Sequence, residues 1–144
     1  MNYIITQGEV GVAQPVDLPN PKFLEALGET GMRKLVSDHY DLLIQSDIKD
    51  LFPPTAQGLE MAKKHSADFF IQICGGPSYF NQNRGAPMMK ARHNPFKINQ
   101  KARRIWLESY IIILKDLDID EDLKKSFWDY IDKFSIWMMN TNED

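Results

Sequence analysis

Residues 90 to 96 read KARHNPF, and the histidine among them is one of only three in the chain. Pro95 disfavours helical geometry at Asn94, so a helix running through Met88, Met89 and Arg92 should stop at or just after His93. A histidine on the last turn of a short helix is held firmly and aimed outward, as a metal ligand or acid–base group must be. Taken alone, such a residue is more often a satisfied surface or core histidine than a ligand. Tyr40 and Trp106 carry the other useful chemistry, a phenol O–H and an indole N–H on apolar helix faces where core packing is the default role. His39, beside Tyr40, reads as a packed or partly exposed helix residue. His65 follows two lysines on an outward turn and reads as solvent-facing. Cys74 ends a helix without an obvious partner.

These residues need helices to position them, and the chain supplies them in succession. Residues 1–19 carry Gly8, Gly11, Pro15 and Pro19 without a lasting period and read as an extended or mobile arm, leaving residues 20–144 as one domain. Asn20 can cap a helix with Pro21 at its first position and Gly28 as its stop. Thr30 can cap the next, in which Met32, Leu35, Val36, His39, Tyr40 and Leu43 recur at three- and four-residue spacing before an end near Asp47. Another helix spans 59–73. Its inner face is large at Leu59, Phe69, Phe70 and Ile73 but small at Ala62 and Ser66, which leaves room for something opposite. Residues 77–87 read as a loop and 87–93 as a short helix. Asn99 can cap a helix carrying Ala102, Ile105, Trp106, Ser109, Tyr110 and Ile113. Asp118 or Asp120 starts a last one carrying Leu123, Phe127, Tyr130, Ile131, Phe134 and Met138. No alternating strand pattern or internal repeat competes, so the expected class is all-α.

Bulk properties narrow the function classes. A chain of 144 residues that is 43% hydrophobic suits one core. The net charge of -3 and the scattered basic residues argue against nucleic acid as a partner. A single cysteine permits no internal disulfide and fits a reducing compartment. No apolar run approaches the roughly 20 residues of a membrane helix, and the first residues lack a basic signal-peptide head. The expectation is a cytoplasmic protein with no membrane partner.

One resemblance joins the motifs. The stretch Gly75-Gly76-Pro77, an aromatic at Tyr79 or Phe80, Gly85-Ala86-Pro87, Arg92-His93-Asn94-Pro95-Phe96-Lys97-Ile98 and Trp106-Leu107 resembles group II of the truncated haemoglobins, with the spacing intact. Upstream, LVSDHYDLL resembles that family's second helix, with Tyr40 as its pocket tyrosine, and Phe52 is the aromatic at the following corner. The likeness covers about Phe23 to Met138. It implies a shortened globin fold, a two-over-two helical sandwich around haem b. The chain departs from the family pattern at Ala86, where histidine is usual, at Glu29, where a second glycine is usual, and at Phe52, where tyrosine is frequent.

The resemblance also assigns roles. His93 becomes the proximal iron ligand, its other ring nitrogen donating to a backbone carbonyl or similar acceptor. Ala62 and Ser66 leave space for a diatomic gas, O2, NO or CO. Tyr40 and Trp106 donate to a ligand that gathers negative charge, which slows its loss. Arg92, Lys97 and His65 are placed to meet the haem propionates, while Phe52, Phe69, Met89, Phe96 and Ile98 pack on the macrocycle. Tight O2 binding suits redox chemistry such as nitric oxide dioxygenation or peroxidase-like turnover. No flavin or nicotinamide motif is present, so electrons would come from a separate reductase. The alternative is a non-enzymatic gas store or sensor signalling through a partner contact, with the arm as its output. Either fits a monomer or homodimer.

Overall fold

The computed structural model describes residues 2–142 and, among them, contains helices and no strand. The elements are α1 (Pro21–Leu43), α2 (Ala56–Ile73), α3 (Tyr79–Arg84), α4 (Met89–His93), α5 (Gln100–Asp116) and α6 (Glu121–Met138), with a 3₁₀ turn at Lys49–Leu51. The long helices start where the side chains allow. Asn20 Oδ1 accepts from the Lys22 N–H, Thr55 Oγ1 from Gly58, Asn99 Oδ1 from Ala102 and Asp120 Oδ1 from Asp122, at 2.8–3.0 Å. Each bond satisfies an amide that a helix start leaves orphaned. Of the two candidate starts for the last helix, Asp120 is the one used.

Gly28 breaks α1 at φ 72°, ψ 168°, a backbone a side chain would strain, so the expected stop is a kink from which the helix resumes at once. Thr30 therefore lies inside the helix, and α1 ends at Leu43 rather than near Asp47. The segment 77–87, expected to be loop throughout, contains α3, and the following helix begins at Met89 instead of residue 87. Short polar YFNQNR has too little apolar periodicity to advertise a helix. Tertiary bonds supply the signal: Gln72 accepts from the Asn81 N–H and donates to the Asn81 side chain, both at 3.0 Å.

α1 packs across α2 and α5, and α5 pairs with α6. Phe23 stacks on Phe127 at 4.6 Å between centroids, and Met32, Val36, Tyr110 and Ile131 fill the space around them. Asp68, buried on α2, receives Arg33 from α1 (2.8 Å), Lys64 (3.0 Å) and Asn83 from α3 (3.1 Å). Burial works to raise its pKa, yet those three donors outweigh it and hold the carboxyl below its ordinary value.

Residues 2–19 form no helix but are strapped to α5 and α6. Thr6 donates its amide and hydroxyl to the Asp132 carboxylate (2.9 and 2.5 Å). Arg103 donates to the Thr6 carbonyl (2.7 Å), Gln100 to the Gly8 carbonyl (2.7 Å) and Trp128 to the Ile4 carbonyl (3.2 Å). A Cβ on Gly8 would lie 2.7 Å from the Ile136 side chain, so glycine lets the arm approach α6 this closely. Among the described residues no helix is long and apolar enough to cross a membrane.

Candidate functional site

A cavity of about 330 Å³ opens between α1, α2, α4, α5 and α6. That volume falls in the range of cofactor sites, about 300–1,000 Å³. Its wall is mostly apolar: Phe52, Phe69, Phe80, Met89, Phe134 and Met138 contribute, with Ala62 and Ser66 as the small residues of α2.

His93 projects into this cavity from the last residue of α4. One ring nitrogen, Nδ1, lies 2.6 Å from the Met89 carbonyl oxygen. A carbonyl only accepts, so Nδ1 carries a proton, and it is Nε2 that has the lone pair in the neutral ring. That tautomer is the one a metal-ligating imidazole needs, and the bond fixes the ring plane.

Tyr40 and Ser66 meet in the same cavity, their hydroxyls 2.7 Å apart. Burial pushes the Tyr40 phenol above its ordinary pKa, so it stays protonated at neutral pH. Phe52 packs edge-on against the Tyr40 ring at 5.6 Å. Trp106 reaches the cavity from α5, and His39 determines where it sits. His39 Nε2–H donates to the Trp106 carbonyl (2.9 Å), its ring stacks on Tyr110 at 3.5 Å, and its edge meets the Trp106 ring at 5.3 Å. Burial lowers the His39 pKa to about 3, against a smaller upward pull from its bond to Trp106. His39 is thus a neutral buried support and lies outside the cavity wall.

Most residues expected from the sequence come together here. Tyr40, Phe52, Ala62, His65, Ser66, Phe69, Met89, Arg92, His93, Phe96, Ile98 and Trp106 all line the cavity. Lys97 does not: it is exposed, one residue beyond Phe96, and outside the lining. His65 departs from its solvent-facing reading. It is half-buried, its Nδ1 has no hydrogen-bond partner, and desolvation together with the Arg84 and Lys64 charges lowers its pKa. Arg92 is largely committed elsewhere. It donates to the carbonyls of Pro87 (2.6 Å), Arg84 (3.0 Å) and Ala86 (3.1 Å), and lies 5.2 Å over the Phe80 ring. The chain thereby ties the 84–87 turn to α4. Between the two candidate aromatics, Phe80 is buried and lines the cavity, whereas Tyr79 lies under Arg33.

Sequence reasoning missed Arg84, Arg103, Phe134, Ser135 and Met138 as lining residues. Phe134 and Met138 were visible only as an apolar helix face. Arg103 is the less expected: it is buried, paired with Asp132 at 2.8 Å, and bonded to Ser135 at 3.0 Å. In the sequence it is half of an ordinary basic pair, and no periodicity marks it as interior.

A mostly apolar wall, one imidazole oriented by its Nδ1 bond and the side chains of Arg84 and His65 at the cavity fit a macrocycle that carries a metal and carboxylate arms. The comparisons with known proteins agree. The bacterial-like globin family matches residues 22–140, and the chain belongs to that family. The solved structure of phosphate-bound Hell's gate globin IV superposes with a TM-score of 0.88 at 39% identity, covering 98% of this chain and 89% of that one. Group 2 truncated hemoglobin YjbI of Bacillus subtilis is 27% identical over 120 residues, 83% of this chain and 89% of that protein. Two-on-two hemoglobin-3 of Arabidopsis thaliana is 33% identical over 85 residues, 58% of this chain and about half, 49%, of that longer protein. The fold is that of the truncated haemoglobins, and membership in this family implies haem-based binding of diatomic gases.

Proposed function

We propose that the chain holds haem b through His93 Nε2 and binds O2, and also NO and CO, beside Tyr40, Ser66 and Trp106, for redox chemistry with nitric oxide. The observation that carries this is the His93 tautomer in a cavity that also contains two hydrogen-bond donors. Haem, when bound, supplies an iron that takes up diatomic gases and changes oxidation state. Met89 orients the imidazole through the proton on Nδ1. Tyr40 and Trp106 would offer an O–H and an N–H to a ligand drawing negative charge, and the apolar wall keeps competing water out. Ser66 tunes that offer: if it accepts the Tyr40 proton, the phenol must release it to serve the ligand, and if it donates, the phenol proton is already free.

Dioxygenation would join nitric oxide and O2 into nitrate, the haem held by His93 supplying one electron, so a separate reductase would be needed to return it. Peroxidase-like turnover is the variant in which Tyr40 and Trp106 assist O–O cleavage. Stopped-flow mixing of the O2-loaded protein with nitric oxide tests the reading: stoichiometric nitrate within milliseconds supports it. Slow or absent nitrate alongside a fast reaction with hydrogen peroxide would move the assignment to the peroxidase variant. One observation favours a sensor as second reading, because Arg103 both lines the cavity and holds the arm at Thr6. A gas-dependent change in oligomeric state or partner binding that disappears when residues 2–19 are deleted would support it.

A further inference from the structure

We infer that Asn140 is a positioning residue for His93, a clasp from beyond α6 that sets where the imidazole stands. The inference rests on the reading of His93 as the iron ligand. Its starting point is how little α4 does for itself. The helix is five residues long, begins after Met88 in left-handed geometry at φ 41°, and has no side-chain cap. An isolated helix of that length is unstable in water, so its order must come from outside. Behind it, Asn94, Pro95, Phe96 and Lys97 are all exposed. A ligand on such an element would wander unless something fixed the turn that follows it.

Asn140 does this with both side chain and backbone. Its Nδ2 donates to the Phe96 carbonyl at 2.7 Å and more weakly to the His93 carbonyl at 3.4 Å. Its Oδ1 accepts from the Ile98 N–H at 2.9 Å and from the Thr141 hydroxyl at 2.8 Å. The amides of Asn140 and Thr141 both donate to the Ile98 carbonyl, at 3.0 and 3.1 Å. One carboxamide thus spans the turn from His93 to Ile98, donating at one end and accepting at the other. Only Asn or Gln offers that pair of functions on a carboxamide, and Gln would carry it one methylene farther out. One turn of helix away, Lys90 donates to the Trp137 carbonyl at 3.2 Å with its ammonium 4.5 Å from that ring's centre, so α4 is held to the end of α6 at two places.

The consequence is mechanical. The Met89 bond fixes the rotation of the imidazole, whereas the Asn140 clasp fixes the backbone that carries it. Loosening the clasp spreads the position of Nε2 relative to the cavity without altering the pocket's gas-facing residues.

The test uses the full chain loaded with haem, as wild type, Asn140→Ala and Asn140→Asp. The aspartate keeps the acceptor for Ile98 but loses the donor to Phe96 and His93. The readout is the iron–histidine stretching band of the reduced protein by resonance Raman. A structural role alone would leave that band in place as long as the protein folds. The expected result is a broadened, downshifted band in both variants and haem loss to apomyoglobin faster by about tenfold, the scale of losing an outer support of a metal ligand. Ile98 amide exchange in the haem-free chains provides a readout independent of loading and should accelerate in Asn140→Ala. An unchanged band position and width in either folded variant overturns the clasp while leaving His93 as ligand. A wild-type protein that takes up no haem in hemin titration overturns the haem reading itself and the clasp with it.

Discussion

The two sides of the cavity are built on different principles. Tyr40, Ser66 and Trp106 sit on helices of 23, 18 and 17 residues whose buried faces interlock through Phe70, Tyr110 and Phe127. His93 sits on five residues with no buried member, held by carbonyl and amide bonds from Met89, Arg92 and Asn140. One wall is placed by packing and the other by hydrogen bonds. Packing is distributed over many contacts and tolerates the loss of one, whereas a polar clasp concentrates its effect in a few atoms. The ligand-facing side should therefore respond to substitution in graded steps, and the imidazole side more abruptly.

The sharpest contrast is expected at His93. His93→Ala removes the lone pair rather than its support, so haem affinity should fall by more than the 10–100-fold typical of a lost outer partner. Titration of the haem-free protein with hemin, with the reduced spectrum as check, measures this. Retention of the wild-type spectrum would break the comparison at its root. The next effect is on the fold. Asp132→Ala leaves the Arg103 guanidinium buried without its carboxylate and also releases the two bonds from Thr6, so stability should drop by about 3–5 kcal/mol in urea unfolding. A loss below about 1 kcal/mol would mean that the arm and the buried pair are not coupled.

A third test uses pH. The folded His39 pKa is depressed to about 3, while the unfolded chain titrates near the ordinary 6.5. Between those values the unfolded state binds a proton that the folded state refuses. Stability is therefore full above about 6.5 and declines as pH falls toward 3, by about 2 kcal/mol at pH 5. His39→Phe preserves the stack on Tyr110 and should flatten that slope in the haem-free protein, whereas an unchanged slope would assign it to other groups. The smallest effect belongs to the packed wall itself. Tyr40→Phe removes one donor and retains the ring, so O2 dissociation should accelerate by about tenfold with CO dissociation nearly unchanged, read by laser photolysis and stopped flow. Equal acceleration for both gases would point to altered packing rather than a lost hydrogen bond.

The comparison also explains what could be read from the residues. Helices that pack carry their signal in the chain: the three- and four-residue spacing of Met32, Leu35, Val36 and Leu43 marks a face, and Asn20 and Asn99 mark starts, while the choice of Asp120 over Asp118 came only with the fold. The Pro95 step limits α4 at His93 for the same local reason. α3 was not legible, because its order depends on Gln72 in another helix. Arg103 and Asp132 were not legible as interior residues, since a charged side chain is buried only where a partner awaits it, and that partner lies 29 positions away.

By itself, then, the sequence determined the helical class, the helix starts at Asn20 and Asn99, the position of His93 at a helix end and the small residues Ala62 and Ser66 that leave a cavity. These depend on near neighbours, whose separation is bounded by chain geometry. Only the tertiary structure decided that His39 supports Trp106, that Arg103 links the cavity to Thr6, and that Asn140 closes over the turn after His93. Each depends on a donor meeting an acceptor across the fold, and a hydrogen bond distinguishes such partners within a few tenths of an ångström, far below what spacing along a chain can specify.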